Sequence, residues 1–173
     1  MEGACEHSAV DHGKWPKTTM AKTTEEKLAA AGIELPSAVT PLGPYVEALQ
    51  TGNLLFLSGI LPRVGQELKY VGRIGKELTV KQGCDAAYAA VLNVLAVARQ
   101  SLGSLNRISR VVKLGVYIAI AGDPPDLVKI ADAASDLLRD VFGEDKLSVR
   151  LVFGMASLPL GVPVELEVIF EVG

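Results

Sequence analysis

The 173-residue chain predicts an α+β fold, a mixed β-sheet with two main helices on one face. Three observations carry this. Two long segments repeat apolar residues at helical spacing, several shorter ones alternate apolar and polar residues, and the order is helix, two or three strands, helix, strand, helix, two strands. At 49% hydrophobic and 21% charged residues, the chain has the composition of an ordinary globular protein with a sizeable core.

Residues 1–19 have no sustained periodicity and read as a loosely ordered extension, leaving 20–173 as one domain. Thr23 with Glu26 forms a capping-box pattern that opens a short helix through Ala31, and Gly32 is placed to end it. "PYVEAL" and "NLLFLSG" read as strands of a hairpin turned at Thr51, Gly52 and Asn53, with a third short strand around Glu67 to Val71. Thr79 and Gln82 make a second capping box. After it, Val80, Cys84, Tyr88, Val91, Leu95, Ala98 and Leu102 form the stripe of the longest helix, up to Gly103. In "RVVKLGVYIAIAG", Val112, Leu114, Val116, Ile118 and Ile120 share one face, with Lys113, Gly115, Tyr117 and Ala119 opposite. Asp123 with Pro124 predicts the start of the next helix, whose buried stripe is Leu127, Ile130, Ala134, Leu137 and Val141. Strands over 148–155 and 162–172 complete the pattern.

Composition also excludes functions. The net charge of −3 and the scattered basic residues give no stripe for nucleic acid or an anionic membrane. No apolar run approaches the ~20 residues that span a bilayer, and no secretory signal is evident, so a cytoplasmic location is expected. Cys5 and Cys84 do not make a disulfide framework. Both histidines, His7 and His12, fall in the extension, so the body offers no catalytic triad, no Cys/His pair and no histidine-ligated metal.

The closing "SVRLVFGMASLPLGVPVELEVIF" raises the functional question. Val164, Leu166, Val168 and Phe170 point under the helices, and Glu165, Glu167 and Glu171 point away. One strand earlier, Val149, Leu151 and Phe153 oppose Ser148, Arg150, Val152 and Gly154. If these two strands pair, Arg150 shares the glutamates' face, together with Ile169, Gly115, Tyr117 and Ala119. On periodicity alone this face reads as solvent-exposed, with surface ion pairs that contribute little. Its small and apolar members, Val152 included, give the alternative, a half-apolar, half-charged face buried against another subunit. Glu167 reads as part of an interface network, and Cys84 as core.

"GPYVEALQTGNLLFLSG", "AASDLLRDVFGE" and the arginine followed by "ASLPLGVPVELEVIF" resemble the Rid (YjgF-type) enamine and imine deaminases, also known as L-PSP-type endoribonucleases, over residues 40–172. The resemblance implies a chorismate-mutase-like fold and a homotrimer whose sheets form a central barrel, with active sites between subunits. It assigns the substrate-carboxylate arginine to Arg150, the water-positioning acid to Glu165, the pocket tyrosine to Tyr45 and a pocket-lining backbone to Gly59. The chain departs from the family pattern at Ile60, where a polar side chain is usual, at Ser148-Val149 before the arginine, and at Val152, where the archetype has cysteine. For the family's helical asparagine, Asp132 and Ser135 are the candidates, and neither is assigned.

The chemistry follows from residue types alone. A guanidinium stays protonated and offers a planar fork, so Arg150 clamps a carboxylate and is no base. A carboxylate such as Glu165 can hold a water at an imine carbon and take its proton, a gain of about 10² to 10⁴ with neither metal nor cofactor. The expected function is hydrolysis of small 2-imino or 2-enamino acids to 2-oxo acids and ammonia. Alternatives are an RNA endonuclease or translation inhibitor, disfavoured by the charge, and a non-catalytic binder of small carboxylates.

Overall fold

The computed structural model describes residues 22–173 except Gln66, Pro124 and Pro125. The extension over 1–19 and the helix-start proline at 124 lie outside the described residues. Helix α1 (Thr24–Ala30) and helix α2 (Val80–Leu102) both begin with the predicted capping boxes: Thr23 and Thr79 accept from the backbones of Glu26 and Gln82, whose side chains reach back. Gly103 ends α2 in the left-handed conformation at φ 79°. Strands β1 (Ala48–Thr51) and β2 (Leu54–Leu57) form the predicted hairpin, although β1 begins later than "PYVEAL" implies, leaving Tyr45 outside it. Between β2 and α2 the third strand is not formed. Val64 and Glu67 make an isolated bridge around Gly65, which turns the chain at φ 64°.

Strand β3 (Ile108–Ala119), helix α3 (Leu127–Phe142), strand β4 (Val149–Met155) and strand β5 (Val164–Val172) follow. Helix α3 is capped by the Asp126 side chain, three residues later than the Asp123 start predicted from sequence. The sheet order is β1-β2-β5-β3-β4, with β3 and β4 parallel and the other neighbours antiparallel. Helices α2 and α3 pack on each other and on the same sheet face, over a core that includes Leu55, Leu114, Ile118, Leu166 and Phe170. Burial of side chains of this size stabilises by about 1.5–3 kcal/mol each. Their close approach depends on Gly83, where an added Cβ would lie 2.6 Å from Ile130 Cδ1 and 2.9 Å from Ile74 Cδ1.

Burial in β5 alternates without a break, as its sequence predicts. In β3 a register shift between Val111 and Lys113 breaks the alternation, so Val111, 2% exposed, fills the core place expected for Val112. Among the described residues no helix is long and apolar enough to cross a membrane.

Candidate active site

Glu165 sits on β5 opposite Tyr117 of β3, on the sheet face away from the helices. Just beyond β2, Ile60 and Leu166 exchange both backbone hydrogen bonds, at 2.8 and 3.0 Å, and this bridge lays Gly59 against the Glu165 side chain. A Cβ on Gly59 would overlap the carboxylate, lying 2.8 Å from its Cδ. Only glycine leaves the carboxylate in this position. Burial holds the Glu165 carboxyl above the usual carboxylate range, because the charged form is the one that loses solvation.

The two residues border a cavity of about 70 Å³, with Tyr45, Glu47, Arg63 and Pro159 among its other walls. At roughly 30 Å³ per water this admits one or two waters beside the carboxylate, and it is far below the ~300 Å³ at which pockets bury a whole ligand. Within one chain the space beside the carboxylate is thus of water size. Because the obstacle to a Gly59 methyl group is the end of a flexible side chain, Gly59→Ala should fold normally while its carboxylate swings aside. Turnover should fall about 10²-fold, the usual cost of an ångström of misplacement. Circular dichroism beside an imine-hydrolysis rate checks this, and parent-like turnover would show that the glycine is not a site element.

Tyr45 is about half exposed, and its hydroxyl accepts from the Leu42 backbone at 3.2 Å, which fixes the ring at the cavity edge. Sequence reasoning missed two further polar residues here. Glu47 brings a second carboxylate to the wall and accepts from the Ser58 hydroxyl at 2.6 Å. Asn93, 1% exposed on α2, donates to the carbonyls of Leu61 and Arg63, both at 2.9 Å, and so ties the cavity loop to the helix layer. A lone amide inside the apolar "AAVLNVLAVA" was the available signal for Asn93. Ile60, the departure from the family pattern, is buried in the core and borders the cavity.

Arg150 is elsewhere. It was expected on the glutamates' face through pairing of β4 with β5, but β4 pairs in parallel with β3 and Arg150 stands opposite Leu114, a core residue. Arg150 and Val152 therefore belong to the helix side, whereas Val149, Leu151 and Phe153 point to the far side, 71%, 47% and 46% exposed. The guanidinium lies under α3, with Nη1 donating to Asp132 Oδ1 at 2.8 Å and to Ser135 Oγ at 2.9 Å. Both candidates for the helical asparagine thus converge on Arg150. The arginine borders its own cleft of about 200 Å³, with Ser135, Lys146, Leu147 and Ser148. Within one chain Tyr45, Gly59 and Glu165 come together, and Arg150 does not join them.

On the far face Glu167 Oε2 accepts from Lys113 Nζ and from the Tyr117 hydroxyl, each at 3.0 Å, and the Tyr117 ring stacks on Phe153 at 5.8 Å. The Lys113 hydrogen bond holds the Glu167 carboxyl below its ordinary value, opposite in direction to Glu165 two residues away. Glu167 is thus neutralised by its neighbours, and Glu165 has no cation against it among the described ion pairs.

Comparison with known proteins agrees with this architecture. Residues 25–171 match the family model described as "YjgF/chorismate_mutase-like, putative endoribonuclease". Protein TCP17 of Trypanosoma cruzi is 37% identical over 145 residues, covering 83% of this chain and 91% of that protein. The 2-iminobutanoate/2-iminopropanoate deaminase of Dermatophagoides farinae is 31% identical, covering 78% of this chain and 91% of that protein. A crystal structure from Shewanella oneidensis, carrying the same endoribonuclease description, superposes with a TM-score of 0.83 at 32% identity over 87% of this chain and all of that one. The fold and these similarities converge: the chain belongs to the YjgF/chorismate mutase-like family, the Rid proteins.

Proposed function

We propose that the protein hydrolyses small 2-imino and 2-enamino acids to 2-oxo acids and ammonia, without a cofactor, at sites shared between subunits of a homotrimer. The observation that carries this reading is Glu165: a half-buried carboxylate with a raised pKa, packed on a glycine and facing a cavity of water size. Such a group is a water-positioning base whose pKa has moved toward neutral pH, where general bases work best. Arg150 supplies the second element, a fork for the substrate carboxylate. The deaminase name of the Dermatophagoides farinae relative supports the reaction class.

The separation of Arg150 from Glu165 supports the shared site. So does the far face of the sheet, where exposed Val149, Leu151, Phe153 and Phe56 surround the Lys113–Glu167–Tyr117 cluster. Apolar side chains gathered on a sheet face are the mark of a surface that another subunit covers. In the assembled protein the carboxylate of the substrate lies on Arg150 of one subunit and its imine carbon faces Glu165 of the next. Glu165 takes a proton from water as the oxygen adds to that carbon and the C=N π pair moves to nitrogen, and it returns that proton to the nitrogen. The C–N bond then breaks as the new hydroxyl gives up its own proton, so that the carbonyl forms, ammonia leaves with both protons of the water and Glu165 is again a carboxylate.

The test generates imino acids in situ with an amino-acid oxidase and follows their loss with and without the protein, in a sample whose mass is measured by sedimentation. Accelerated loss in a trimer is the expected result. A stable monomer, or loss at the spontaneous rate, contradicts the proposal. RNA cleaved by the same sample at a rate that falls steeply with salt would favour the endoribonuclease reading instead.

A further inference from the structure

The Arg150 guanidinium is already engaged. Nη1 carries two N–H groups, and one meets Asp132 Oδ1 at 2.8 Å while the other meets Ser135 Oγ at 2.9 Å, both from α3. Among the described residues nothing takes the N–H groups of Nε or Nη2, so a complete two-donor edge is left for a planar carboxylate. The side chains of Arg150 and Asp132 are 26% and 50% exposed, which leaves the pair within reach of a ligand in the adjoining cleft. The charged side chains lining that cleft are Arg150 and Lys146, and Asp132, outside the lining, is paired to Arg150 at 2.8 Å, so the three together carry a net of one positive charge.

We infer that Asp132 is a specificity residue: it holds the Arg150 fork in place and cancels enough charge that the site takes one carboxylate and disfavours a second. The inference rests on the reading of Arg150 as the carboxylate clamp and adds to it the substrate class, monoanionic 2-imino and 2-oxo acids over dicarboxylates and phosphate esters. A single carboxylate balances the net charge of the cleft. A second anionic group has no cation left to meet and feels the Asp132 carboxylate directly. Asparagine at this position keeps an oxygen acceptor for Nη1 and removes the charge. A unit charge ~5 Å from the ligand, in an effective dielectric of 40–80, is worth about four- to fifteenfold in affinity, and a dianion feels it more.

The experiment measures calorimetric binding of 2-oxobutanoate, a monoanion, and 2-oxoglutarate, a dianion, at low salt to the full-length protein, to Asp132→Asn and to Asp132→Asn/Arg150→Ala. The parent should prefer 2-oxobutanoate. Asp132→Asn should bind it about tenfold more tightly and gain more for 2-oxoglutarate, so that the preference narrows, and the double variant should lose both gains. With an imino acid substrate, KM should fall in Asp132→Asn while kcat is held, a split that a merely structural role does not produce. Unchanged or weaker binding by Asp132→Asn, a parent that favours the dianion, or no binding by either protein would overturn the inference. If the binding pattern holds but the parent fails to accelerate imine hydrolysis, the deaminase reading falls and the charge role of Asp132 stands.

Discussion

Glu165→Gln should lower kcat for imino acid hydrolysis by about 10² or more while a 2-oxo acid binds as well as before. Glutamine fills the same space against Gly59 and cannot accept the proton of the attacking water. The parent's rate should rise with pH through a value above the ordinary carboxylate range, because burial makes Glu165 hold its proton longer and only the ionised form is a base. The variant should lack that limb. The same shift fixes a stability effect of known sign. The folded chain binds this proton more tightly than the unfolded chain, so ionising Glu165 costs stability as pH rises from the unfolded value through the folded one. Glu165→Gln should therefore melt higher than the parent at neutral pH, an advantage that vanishes in acid below the unfolded value. A variant that turns over like the parent, or one whose melting advantage grows in acid, would remove Glu165 from its role.

Arg150→Ala should cost about 2 to 5 kcal/mol in binding of a 2-oxo acid, since the ligand's charge is left without a partner. Arg150→Lys should fall between, keeping the charge and losing the two-donor edge. Neither change threatens the fold. Asp132, half exposed, returns to water when its partner goes, and an ion pair of this exposure contributes little to stability. Calorimetry on each folded variant reads the effect. Parent-like binding by Arg150→Ala would leave the arginine as no more than an anchor for α3.

The parts of this structure that were legible in the sequence are those governed by local rules. The capping boxes at Thr23 and Thr79 begin helices where their hydrogen bonds require, and β5 alternates because each of its residues meets either the helix layer or the far face. Partner choice was not legible. The alternation in β4 was read correctly, but which of its faces meets the helices depends on the neighbouring strand. That neighbour is β3, reached through α3, and not β5, which follows in sequence. Arg150 changed sides for this reason. Val112 lost its place to Val111 because a bulge adds a residue to β3 that no periodicity announces. The polar wall Glu47 and the loop-tethering Asn93 escaped notice because their partners, Ser58 and the Leu61 and Arg63 carbonyls, are brought to them by tertiary structure.

The separation of Arg150 and Glu165 allows a direct test of the shared site. Arg150→Ala and Glu165→Gln, each nearly inactive alone, are mixed in equal amounts, unfolded together and refolded so that subunits assort at random. If one site takes its arginine from one subunit and its glutamate from the next, about a quarter of all sites in the refolded sample recover both residues, and imine hydrolysis returns to about a quarter of the parent rate. If each chain builds its site alone, every site lacks one of the two residues and the mixture stays as inactive as its components, which would contradict the shared cleft.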